Sequence, residues 1–160
     1  MVPIAHYLFA ISFSGYYKKK DWQNWADQRI LKQTSVENWL INISLANSID
    51  MLSNALGDLL ISERFKVKDR VSSSDAIIGY YYIMYLDGKF SLQDLLLNSG
   101  DEVDGGEGAS VECEEFYAIS NALEQDKLLI GDTNFQRKIS ALYEPFRKIA
   151  QLQKEELERY

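Results

Sequence analysis

The stretch "TSVENWLINISLANSIDMLSNALGDLL", residues 34–60, decides how this chain folds. Val36, Trp39, Leu40, Ile43, Ala46, Ile49, Leu52, Leu56 and Leu59 recur at steps of three and four. That spacing lines one face of an α-helix. Thr34 and Glu37 stand at capping-box spacing ahead of the stripe. The opposite face carries Asn and Ser, and residues 38–49 hold no charge. Such a pattern suits a helix covered on more than one side. One long helix from Thr34 to Leu60 is expected, with a strand over "WLINISL" as the alternative.

The neighbouring segments read the same way. Residues 4–13 are apolar and aromatic and end at Ser14-Gly15. Asp21 is placed to N-cap "WQNWADQRILKQ", residues 22–33. "ERFKVKDR", residues 63–70, reads as a charged connector. Ser73, Ser74 and Asp75 can cap an apolar helix from Ala76 to Leu86, which Asp87-Gly88 ends. Ser91 then starts a short helix, "LQDLLLN". A flexible acidic loop is expected at 98–109, followed by a helix over "VECEEFYAISNALEQDK". Thr133 is placed to cap a last helix that Pro145 should kink or split. Two prolines and nine glycines among 160 residues favour long helices over a turn-rich β architecture. The expected fold is an all-α, single-domain multi-helix bundle covering residues 1–160.

A repeat is suggested within it. "GYYKKKDW" at 15–22 and "GKFSLQDL" at 88–95 share Gly, aromatic, Asp and apolar positions at one offset. Each precedes a Ser-Val-Glu, at 35–37 and at 110–112. Two related helical units plus a C-terminal helix would follow.

Charge is distributed unevenly. Net charge is −7, yet residues 90–126 contain no Lys, Arg or His and ten acids. The remainder has 14 acids against 17 bases. Asymmetry of this kind speaks about partners more than about fold. It argues against nucleic acid, whose phosphates need clustered Lys and Arg. No apolar run is long enough to span a bilayer, and the lysines follow the first apolar run where a signal peptide would need them to precede it. A soluble cytoplasmic protein without membrane contact is expected.

Catalytic and metal chemistry find little to work with. The loop "DEVDGGEGASVE" places Asp101, Gly106 and Glu112 at EF-hand positions one, six and twelve. Val103 and Gly105 fill positions where oxygen ligands belong, so calcium binding is not expected. "DEVD" followed by Gly also matches a caspase cleavage motif, but four residues are weak evidence. Cys113 is the only cysteine and His6 the only histidine. A Cys/His zinc site is thereby excluded by count. Cys113 sits among Glu112, Glu114 and Glu115, which suppress its thiolate. His6, in an apolar segment, reads as a hydrogen-bonded core residue. No phosphate loop, Ser-centred elbow or HExxH is present. Neither an enzyme nor a cofactor is expected.

Size, acidity and the segments "DWQNWADQRIL" and "SVENWLINIS" resemble bacterial immunity proteins, small cytoplasmic inhibitors of a cognate toxin. The resemblance runs loosely over residues 15–125 and carries no residue-level roles. It implies a complex with a basic toxin domain, a nuclease being one natural target because acids can mimic phosphates. Opposite charge accelerates such association, and aromatic anchors hold it. The expected docking face is Asp101, Glu102, Asp104, Glu107, Glu112, Glu114 and Glu115, with Tyr117 as anchor. The alternative is a helical adaptor whose groove, lined by Tyr81, Tyr82 and Tyr85, takes a peptide or partner helix.

Overall fold

A computed structural model describes residues 1–106 and 108–160. Among them there are eight α-helices, one 3-10 turn and no strand. The helices are α1 (Ile4–Phe13), α2 (Lys19–Lys32), α3 (Asn38–Leu45), α4 (Ile49–Lys66), α5 (Ser73–Leu86), α6 (Leu92–Gly105), α7 (Cys113–Gln125) and α8 (Thr133–Arg159), with the 3-10 turn Lys127–Gly131 ahead of α8. The chain divides into two compact units, Met1–Arg70 with Gln153–Tyr160, and Val71–Leu152.

In the first unit α1 packs on α4, α2 on α3, and α3 on α4. The helix expected over 34–60 is in fact two, broken between Leu45 and Ile49. The break has a cause in the side chains. Trp22 Nε1 and Gln23 Nε2 both donate to the Ala46 carbonyl, at 3.0 and 2.9 Å. Ser48 then N-caps α4 by accepting from the Met51 amide at 3.2 Å. The supposed charged connector is also shorter than expected, because α4 continues to Lys66. Glu63 explains this: it is buried, and its carboxylate accepts from the Ala5 and His6 amides at 2.7 and 3.2 Å. A side chain of α4 thus satisfies the first-turn amides of α1. His6 Nδ1 lies 2.9 Å from the same carboxylate, which makes His6 a hydrogen-bonded core residue. Asp21 is not the N-cap of α2. Lys18 holds that position, and Asp21 accepts from its backbone N–H at 2.8 Å.

In the second unit α5 packs on α6, and α6 on α7. Its core joins Ile78, Tyr82, Leu95, Leu96, Phe116, Ile139, Tyr143 and Phe146. The Tyr82 and Tyr143 rings stack with centroids 4.9 Å apart. Tyr143 also donates to Ser99 Oγ at 2.8 Å, and Ser99 donates to the Leu95 carbonyl at 2.7 Å. The N-cap of α5 is Ser72, one residue ahead of the expected cluster. Ser91 caps α6 as expected, accepting from the Asp94 amide. Ahead of α8 the capping acceptor is Asp132, bonded to the Phe135 amide, and not Thr133. Pro145 lies inside α8 without ending it.

The two units follow one plan at their starts. Gly15 and Gly88 both have positive φ, +83° and +77°. The amide of Gly15 reaches the Ser12 carbonyl, and that of Gly88 the Tyr85 carbonyl. Each glycine lets the chain leave a helix in the left-handed conformation. Helices of 14 residues follow, α2 and α6, beginning at Lys19 and Leu92. Glycine, hydrogen bond and helix start all recur at the offset that separates the two sequence motifs. The next helices, α3 and α7, begin directly after Glu37 and Glu112, the ends of the two Ser-Val-Glu triplets.

Candidate functional site

The acidic residues are carried by α6, by α7 and by the segment joining them. Leu92, Leu95, Leu96, Ser99 and Gly100 form the buried stripe of α6; Phe116, Ser120 and Leu123 form that of α7. Near the start of α6, Gln93 Nε2 donates to Ser120 Oγ at 2.5 Å and to Glu124 Oε1 at 3.2 Å. Near its end, the Tyr117 hydroxyl donates to Asp101 Oδ1 at 2.6 Å. Early α6 therefore meets late α7, and the pair runs antiparallel.

The loop expected from Asn98 is a correction. Residues 98–105 are the last two turns of α6, and Gly106 ends the helix with an extended conformation. Packing drives the extension. Ser99 and Gly100 are buried, Val103 packs on the core, and the Tyr117 ring lies directly on Gly100. A Cβ at Gly100 would come 2.7 Å from Tyr117 Cδ1. Beyond the helix, Asp75 Oδ1 accepts from the Ser110 amide at 2.9 Å. Gly106 lies so close to Ser74 Oγ that a side chain there would overlap it.

The expected docking residues separate by environment. Asp101, Asp104, Glu112, Glu114 and Glu115 are exposed. Glu102 is half-buried and accepts from Ser74 Oγ at 2.9 Å, so it serves α5. Burial raises its pKa above the usual carboxylate value, against the lowering effect of Ser74. Tyr117 is partly buried and already bonded to Asp101; that bond, then desolvation, pushes its phenol up to about 12. Glu107 lies outside the described residues. Local desolvation, the bond to Glu114 and the charges of Glu114 and Asp104 raise the Cys113 thiol pKa. Raised pKa means less thiolate at neutral pH.

One electrostatic feature was not visible from the expected loop. Glu102 and Asp104 stand in the last turn of α6, with Asp101 just before it, and that turn has no basic residue. The C-terminal end of a helix carries roughly −0.5 elementary charge. Acids placed there meet repulsion from the backbone as well as from one another. The last turn of α7 likewise lacks a base, with Glu124 and Asp126 beside it. Along α8, by contrast, three acids are paired: Glu144 with Arg147, Glu158 with Lys154 and Glu156 with Arg159.

The tyrosine set of the alternative reading divides. Tyr82 is buried in the core against Tyr143, while Tyr81 and Tyr85 are partly buried. Two grooves of about 430 Å³ each flank the end of α7 instead, one lined by Leu92, Leu123 and Ile130, the other by Ile119, Leu129 and Phe135. Among the described residues no cluster of His, Cys, Asp and Glu could hold a metal ion, and no helix is long and apolar enough to cross a membrane. No protein-family model, curated protein or solved structure matches this chain.

Proposed function

We propose that the chain binds a cationic protein through the exposed acids of α6 and α7, in the manner of an immunity protein neutralising a cognate toxin. The observation that carries this is Asp104 in a last turn of α6 that has no basic residue, with Asp101 just before it. A helix end that repels acids is a costly place to keep them, and a cation from outside relieves that cost. Glu112, Glu114 and Glu115 add exposed charge at the start of the antiparallel neighbour. Tyr117 holds the two helices in register through Asp101, so the face is preorganised before any partner arrives. This makes Tyr117 a positioning residue of the face as well as its aromatic element. The reading is of a binding protein without a reaction of its own.

The test is a quadruple variant, Asp104→Asn with Glu112→Gln, Glu114→Gln and Glu115→Gln, which leaves the Tyr117–Asp101 bond in place. The partner is captured by the wild-type chain at low salt and its association rate with each form is then measured. Slower association for the variant, with the wild-type rate falling as salt rises, supports the reading. Equal rates for both forms at every salt concentration would overturn it.

A further inference from the structure

We propose that the groove beside the C-terminal end of α7 is the anchor pocket for a basic amphipathic segment of the partner, one apolar side chain flanked by lysine or arginine. The proposal rests on the acidic-face reading and extends it to a second contact. Leu92, Leu123 and Ile130 give the groove apolar walls in a volume of about 430 Å³. Part of the polar wall is already engaged internally: Gln93 Nε2 donates to Ser120 and Glu124, and Ser91 Oγ accepts from the Asp94 amide. A ligand therefore gains little by hydrogen bonding inside and most by burying carbon.

The adjoining 3-10 turn has no buried residue. Leu128 is 86% exposed and Ile130 52%. Two large apolar side chains held outward on a five-residue turn beside the groove form an apolar ledge continuous with it. Asp126 fixes that ledge, its carboxylate accepting from the Leu128 amide at 3.1 Å. Charge selects among the partners that could use it. Glu124 lines the groove and Asp126 caps the turn, at a helix end whose last turn holds no base. Among the described residues Lys127 is the one cation in the lining. The α7 carbonyl end adds further negative potential. Acidic peptides and anionic lipid surfaces are repelled here, whereas a flanking lysine or arginine is attracted while its apolar neighbour enters the groove.

The experiment uses the full chain, labelled for NMR, and three synthetic helical peptides: one of Leu and Lys, one of Leu and Glu, and one lysine-rich without Leu. The expected result is that the Leu/Lys peptide shifts the amides of Leu92, Leu123 and Ile130. Replacing the exposed pair, Leu128→Gln with Ile130→Gln, then weakens that binding at least ~10-fold. The lysine-rich peptide should shift only the amides around Asp101 and Asp104. If the Leu/Lys peptide also shifts those amides alone, the groove is not an anchor site although the acidic face stands. Equal occupation of the groove by the Leu/Glu peptide would overturn the charge selection. Failure of both basic peptides to bind anywhere would remove the acidic face and the groove together.

Discussion

At the scale of single residues, the charges of α6 are in tension with the fold that carries them. Asp104 is exposed in the last turn of a helix without a basic residue there. Asp104→Asn should therefore stabilise the free protein by about 0.3–1 kcal/mol while weakening partner binding. Urea denaturation checks the first half; unchanged or lower stability would contradict it. Glu102 gives the same sign by another route. Burial raises its folded pKa, so its ionisation opposes folding at neutral pH. Glu102→Gln should raise the unfolding midpoint at pH 7, and the gain should fade as pH falls and the native carboxyl protonates. Tyr117 shows the converse on the alkaline side. Its folded pKa of about 12 lies above the ordinary phenol value of 10.0. The contribution of its bond to Asp101 is complete below pH 10 and is lost as pH rises through about 12. Ultraviolet titration of Asp101→Asn against wild type should show that phenol ionising earlier in the variant. Gly100 closes the set, because a Cβ there would displace the Tyr117 ring.

At the scale of elements, the fold class and several helix ends were legible, among them Ser14-Gly15, Asp87-Gly88 and the Ser91 cap, and the break inside 34–60 and the length of α6 were not. Helical periodicity over 34–60 reflects real burial: Leu40, Ile43, Leu52 and Leu56 are all in the core. Periodicity alone could not reveal the break at 46–48, because the stripe stays nearly in phase across it. The break is made by Trp22 and Gln23, far away in sequence, which claim the Ala46 carbonyl. The same limit hid the length of α6. "NSGDEVDGG" reads as loop because its Gly, Asn and Asp content disfavours helix. Tertiary contacts overrule this at Ser99, Gly100 and Val103. Glu63 carries the clearest element-level prediction. It is the acceptor for two α1 amides and for His6, all buried. Glu63→Ala should cost about 3 kcal/mol, since it strands those donors. A loss below 1 kcal/mol in denaturant melts would show that α1 does not depend on this carboxylate. The acidic stretch was legible as composition, and its placement at a helix end was not, because that needed the end of α6.

At the scale of the whole molecule, charge follows the division into units. The unit of residues 71–152 holds 14 acids and six bases, −8, while residues 1–70 with 153–160 hold ten acids and 11 bases, +1. The units share a plan at their starts, down to the paired glycines with positive φ, yet one is nearly neutral and the other strongly acidic. The acids are thus not a requirement of the plan, which is what a binding face laid over a scaffold would produce. Self-repulsion within the acidic unit should make the free protein more stable as salt screens it. The quadruple charge variant should lose most of that salt dependence in thermal melts. The central claim is that this face meets a basic partner, and the association rate constant tests it most directly. Measured at low and high salt with the captured partner, it should fall at least ~10-fold with salt for the wild-type chain and start low and stay flat for the variant. A rate indifferent to salt and shared by both proteins would contradict the account.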